Sequence, residues 1–154
     1  MFRVINRVPT LTRKVGVVTQ YGFATETKTQ AEVLIDKVYD LVRAATSGNF
    51  AAYKALNSPT STCIEPETRG NIISGLAFHE HYFSLPADPN QAPSQTTLTN
   101  VRAKVCCESK MGFVTYNRVT QRGVDVSVAQ ETRIWEKDSA DEWVQVHFHK
   151  SLVE

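Results

Sequence analysis

Cysteine is scarce in this chain: three residues among 154, Cys63 and the adjacent pair Cys106 and Cys107. A paired disulfide framework is thereby excluded, and no C-x-x-C is present for zinc or redox chemistry. Vicinal cysteines rarely bridge each other, so a reducing compartment is expected. Long apolar runs are missing too. Nothing approaches the roughly 18–20 consecutive apolar residues that a membrane span needs, and no membrane partner is expected. A formal charge of only +1, with no basic stripe in the body, argues against nucleic acid as the main partner.

Acidic residues are absent from the first 25 positions, where Arg3, Arg7, Arg13 and Lys14 all fall; the first acid is Glu26. Setting those four cations aside leaves 13 basic against 16 acidic residues in the body. The chain is therefore divided into a basic, acid-free segment, residues 1–25, and one globular domain, residues 26–154. An Arg-bearing, hydroxyl-rich segment (Thr10, Thr12, Thr19) without acid has the composition of an organellar transit peptide. The alternative is a tail, disordered or docked on an edge. It is not a secretory signal, because it lacks a continuous apolar core. An intracellular location is expected, cytoplasmic or, with a transit peptide, mitochondrial or chloroplast.

What is present describes an ordinary soluble domain: 42% hydrophobic and 21% charged residues, long enough for a single core. Ala31, Leu34, Ile35, Val38, Leu41, Val42 and Ala45 recur at helical spacing, predicting an amphipathic helix of about five turns. Thr29 and Glu32 supply a capping box at its start, and Gly48 suits its stop. NFAAYKAL, opened by Asn49, predicts a second short helix ending before Ser58-Pro59. STCIEPET reads as a short strand that Pro66 keeps at an edge. RGNIISGLAFHEHYFSL reads as a third helix anchored by Ile72, Ile73, Leu76, Phe78 and Phe83, followed by the proline-rich loop PADPNQAP.

From Thr96 the period changes to two. Val101, Ala103 and Val105 alternate with Arg102 and Lys104, and three more strands follow in GFVTYNRVTQ, VDVSVAQETRIWE and EWVQVHFHKSL. Lys110-Met111-Gly112 suits a tight hairpin. Helices first, then consecutive strands, predict an α+β fold: a strongly curved antiparallel sheet with helices on one face.

The four histidines form two H-x-H pairs, His79/His81 and His147/His149. On a helix, residues two apart point roughly 200° from each other, so the first pair cannot chelate one ion together. On a strand the second pair shares a face, but still needs further ligands. Period two places Trp143, Gln145, His147 and His149 on one side of the last strand, and Val144, Val146, Phe148 and Lys150 on the other. A face of Trp, Gln and two His suits packing against another subunit as well as it suits a metal, and no metal or cofactor is expected. The same parity groups Val114, Tyr116, Arg118 and Thr120, and then Ala129, Glu131, Arg133 and Trp135. Three strands thus send Arg118, Arg133 and Lys150 toward one kind of face. Such charges need carboxylate partners or a wet cavity, with Glu131, Glu65, Glu67 and Glu80 as candidates. A solvated face or a structural ion-pair network is the alternative.

IEPETRGNIISGLAFHEHYF, TYNRVTQ and QETRIWEKDSADEWVQVHFHKS resemble the association (hub) domain of calcium/calmodulin-dependent protein kinase II, over roughly Thr29 to Ser151. The most specific part is E-T-R-x-W followed by W-x-x-V-H-F-H-[KR]-S, and SGNFAAYKAL fits the family pattern as well. The resemblance implies a conical sheet of the nuclear-transport-factor-2 (NTF2) type with helices in the concave face. It also implies self-assembly into stacked rings of dimers, roughly twelve or more subunits. Further partners it implies are a small carboxylate ligand and, by their own hubs, hub-containing kinases. Carried over residue by residue, it implies a basic pocket of Arg118, Arg133 and Lys150, with His79 at its mouth and Tyr53 and Tyr116 at positions where the family has tyrosine. Lys150 departs from the usual Arg, which weakens bidentate carboxylate recognition, and Glu80 stands where the family has Arg. The loop after Phe83 also lacks an aromatic residue found in some relatives. These 154 residues contain no G-x-G-x-x-G, no H-R-D and no basic calmodulin-target helix, so the expectation is a stand-alone hub and not a kinase. An isomerase or dehydratase remains the alternative on such a cone, with Glu131 as base and Tyr116 or Tyr53 as donor. A carboxylate flanked by two guanidiniums, however, makes a poor general base.

Overall fold

The computed structural model describes residues 27–86, 89–90 and 92–153, so the basic segment 1–25 lies outside the described residues. Helix α1 spans Gln30–Thr46, and its start is the capping box read from the sequence. The Thr29 amide donates to the Glu32 carboxylate at 2.7 Å, and the Glu32 amide donates to Thr29 Oγ1 at 3.3 Å. Gly48, at φ 68°, ends it in the left-handed conformation that glycine adopts without a Cβ clash. Helix α2, Phe50–Ala55, is capped by Asn49 Oδ1, which accepts from the Ala52 amide.

Six strands follow: β1 (Asn57–Ile64), β2 (Ile73–Ser74), β3 (Ser94–Cys106), β4 (Met111–Arg122), β5 (Asp125–Lys137) and β6 (Trp143–Leu152), with α3 (Ala77–Ser84) between β2 and β3. They form one curved sheet in the order β2-β1-β6-β5-β4-β3. Strands β3 to β6 are an antiparallel meander, as their alternation and short turns predict. Strand β1 joins β6 in parallel, among the described residues the one departure from antiparallel pairing.

Leu34, Val38, Leu41 and Val42 of α1 pack on Val114, Tyr116, Trp135 and Trp143 of the inner sheet face. The contact is close because of Gly112. A Cβ there would fall 2.5 Å from Leu34 Cδ1 and 2.9 Å from the Lys104 carbonyl oxygen. Trp143 Nε1 donates to Gln30 Oε1 at 2.9 Å, tying β6 to the first turn of α1.

Four expectations are corrected. The third helix is only Ala77–Ser84, because Arg69, Gly70 and Gly75 all take positive φ and turn the chain before a helix can begin. Ile73 instead pairs with Cys63 as β2, and Ile72 is 69% exposed. Pro66 is not in a strand: β1 ends at Ile64 and lies inside the sheet, and Pro66 opens a 3-10 turn over Pro66–Thr68. The β3–β4 turn is Cys107–Lys110, beginning three residues before the expected Lys110, with positive φ at Cys107, Glu108 and Ser109.

The fourth correction concerns the face shared by Trp143, Gln145 and the two histidines. Ile134 pairs with His147 but Trp135 pairs with Gln145, so Val146 is an extra residue in β6. The bulge reverses parity. Trp143 and Gln145 join Phe148 and Lys150 on the inner face, while His147 and His149 face outward. A second bulge in β3, between Thr99 and Arg102, brings both Leu98 and Val101 onto the core despite their odd spacing.

Candidate functional site

The inner face of β4, β5 and β6 carries a row of paired polar residues. Tyr116 stands opposite Glu131, and Glu131 opposite Lys150; Arg133 stands between Val114 and Phe148, and Arg118 beside Ala129. Period two places all of these on one face, as the sequence predicts.

Glu131 is 2% exposed and sits at the centre. Its Oε2 accepts from the Tyr116 hydroxyl at 2.5 Å and from Arg133 Nη2 at 3.1 Å. Its Oε1 lies 3.0 Å from Arg118 Nε, an ion pair off the line of a hydrogen bond. Each nitrogen of Arg133 donates within the network: Nη2 as above, Nε to the Tyr116 hydroxyl at 2.6 Å and Nη1 to Gln145 Oε1 at 2.6 Å. Its guanidinium also lies 3.9 Å from the centre of the Phe148 ring. The chain of bonds continues from Gln145 Nε2 to Asn57 Oδ1 at 2.7 Å, and from Asn57 Nδ2 to the Tyr53 carbonyl at 2.7 Å. Burial pushes the hydroxyls of Tyr116 and Tyr53 above the usual phenol range, so both keep their protons.

Above this network is a cavity of about 90 Å³, lined by Tyr53, Glu65, His79, Phe83, Arg118 and Arg133, among others. At roughly 30 Å³ per water, it holds a ligand of only a few heavy atoms. Arg118 also lines a wider hollow of about 250 Å³ with Thr120 and Arg122, toward Ser94 and Thr96. Four expected site residues, Tyr53, His79, Arg118 and Arg133, thus border the cavity. Glu131 and Tyr116 lie beneath them in the network. Lys150 stands apart and donates to Glu67 at 2.8 Å. His79 Nε2 is 3.1 Å from Glu65 Oε1, whereas His81 is exposed on α3. On the outer face His147 Nδ1 is 2.7 Å from Thr62 Oγ1, and His149 is exposed.

Sequence reading missed Gln145 and Asn57 as members of this site. Gln145 was hidden by the bulge at Val146. Asn57 reaches Gln145 only because β1 runs parallel to β6, a pairing without local signal.

A curved sheet with helices in its concave face and a small polar cavity is the NTF2-like architecture. An NTF2-like protein from Pseudomonas putida (11% identical, TM-score 0.66) and a putative ketosteroid isomerase from Parabacteroides distasonis (17%, 0.66) share the fold at that level. The family model of the calcium/calmodulin dependent protein kinase II association domain matches residues 30–153. The chain belongs to that family, and its membership supports an oligomerisation scaffold. The S. rosetta CaMKII hub is 32% identical, with a TM-score of 0.74 over 83% of this chain and 100% of that one. The Chlamydomonas reinhardtii CaMKII hub homology domain is 31% identical, with a TM-score of 0.73 over 82% of this chain and 100% of that one. Calcium/calmodulin-dependent protein kinase type II subunit delta of Oryctolagus cuniculus is 30% identical over 82% of this chain. The chain spans only 24% of that relative's length.

Proposed function

We propose that this protein is a non-catalytic scaffold that assembles with itself into a ring of dimers. The observation that carries this reading is the match to hub structures over their whole length. The outer sheet face is consistent with it. Lys104, Phe113, Ile134 and His147 form one cross-strand row there, and Arg102, Thr115, Thr132 and His149 the next. The described helices pack on the opposite face, and Phe113 is 39% exposed. A face free of the described helices that pairs exposed Phe113 with Ile134 is a candidate for contact with a second copy. Light scattering on a size-exclusion column tests the reading. The expected mass is many times 17.2 kDa, and a charged substitution, Phe113→Glu, should lower it. A monomer across a wide concentration range ends the proposal.

The cavity supports a second function, capture of a small carboxylate that tunes the assembly. Arg118 is the cation placed for it. It lines both the cavity and the outer hollow, its side chain is 21% exposed, and among the described residues its Nη atoms make no hydrogen bond. Arg133 lines the cavity too, but each of its nitrogens already donates within the network. Arg118→Ala should therefore abolish acetate binding measured by NMR without dissolving the ring; unchanged binding refutes the assignment. The isomerase or dehydratase alternative is disfavoured by geometry. Tyr116 donates into Glu131 rather than toward a substrate, and Glu131 does not line the cavity.

A further inference from the structure

Three side chains that the scaffold reading does not use converge beside the cavity. Cys63 lies on β1, Glu65 follows just after the strand, and His79 returns from the first turn of α3. A sulfur, a carboxylate oxygen and a ring nitrogen, one from each, lie within 4.8 Å of one another. Among the described residues no other His, Cys, Asp or Glu side chains gather in this way.

We propose that Cys63, Glu65 and His79 form a binding site for a divalent, borderline-soft cation, zinc above all, with an open coordination position toward the cavity. The donor set is the first argument. Thiolate, imidazole and carboxylate together suit zinc, whereas magnesium and calcium prefer oxygen alone. Tetrahedral zinc, with bonds of about 2.0–2.3 Å, places its ligand atoms roughly 3.3–3.8 Å apart. Side-chain rotations moving atoms by on the order of 1 Å close the trio to that size. His79 Nε2 is already 3.1 Å from Glu65 Oε1, and its other nitrogen, Nδ1, is buried with no partner.

Charge is the second argument. Arg118 and Arg133 are both paired with Glu131, and Lys150 is paired with Glu67. Among the described residues the only ion-pair partner of Glu65 is His79. No lysine or arginine forms an ion pair with Glu65, although Arg118 and Arg133 line the same cavity. Coordination exchanges the S–H bond for an S–metal bond and releases that proton to solvent. Three protein ligands leave the fourth position of tetrahedral zinc to a water or a small ligand, unlike the closed structural sites. The site stands on its own residues and does not depend on the carboxylate reading.

The test is titration of the chelator-treated full chain with cobalt(II), followed by zinc. A thiolate-to-cobalt charge-transfer band should appear with the intense visible bands of a tetrahedral site, saturate at one ion per chain, and vanish as zinc displaces cobalt. His79→Gln should weaken binding by more than the ~10–100-fold typical of losing a supporting residue. The Cys106→Ser/Cys107→Ser double variant decides the assignment even if Cys63→Ser fails to fold, because Cys63 is then the one thiol left in the chain. The band should survive in that variant. Its absence there, or from the unaltered chain, overturns the proposal.

Discussion

Replacing Glu131 by glutamine keeps the shape of the side chain and removes its charge. Arg133 is 3% exposed and would retain a buried guanidinium with no anion beside it. Arg118, with 21% of its side chain exposed, can turn toward water, so the loss falls mainly on Arg133. Removing one member of a buried ion pair costs about 3–5 kcal/mol. For a chain of this length, each 1 kcal/mol moves the midpoint by about 2–4 °C, so Tm should fall by roughly 10 °C. The assay is thermal unfolding followed by circular dichroism at one fixed protein concentration, since assembly makes Tm concentration-dependent. Two companions sharpen it. Asp36→Asn breaks the exposed Lys28–Asp36 bridge, whose side chains are 62% and 51% exposed, and should leave Tm unmoved. Glu131→Leu/Arg133→Met removes both charges and should be far less destabilised than the two single changes added together. A Glu131→Gln shift within experimental error, or an additive double variant, would refute the claim that burial makes this network decisive.

Three other perturbations follow from the same packing. Gly112→Ala pushes a methyl group into Leu34 and the Lys104 carbonyl and should cost about 1–3 kcal/mol in urea unfolding. Thr29→Ala removes the hydroxyl that caps α1 and should cost about 1 kcal/mol, while Thr29→Ser should restore most of it. In the metal-free protein Cys63, with an ordinary value of 9.0, is raised to about 11, and Tyr116 and Tyr53 are also raised, so their neutral forms favour the folded state. That contribution is complete below the unfolded values and is lost as pH climbs through the folded ones. Stability should therefore decline as pH rises above about 9; a flat profile up to pH 11 in urea titrations would contradict it.

The parts of this protein that depend on near neighbours were legible in the sequence. Thr29 and Glu32 make the α1 cap from residues three apart, and the stripe from Leu34 to Val42 is a property of one helix. Period two within β4 and within β5 placed Tyr116, Arg118, Glu131 and Arg133 on one face because neither strand is bulged there. The family signature covered the same strands.

Tertiary structure decided the rest. Val146 bulges because of how β6 registers against β5, and a one-residue insertion sends Trp143 and Gln145 inward, against the alternation of their own strand. The parallel seating of β1 on β6 brings Asn57 to Gln145 across 88 positions of sequence. Left-handed turns at Arg69, Gly70 and Gly75 cut the third helix short and return His79 to Glu65. A local pattern specifies which way a side chain leaves its own element. Which other element it meets depends on strand pairing and register, whose energy comes from contacts distant in sequence.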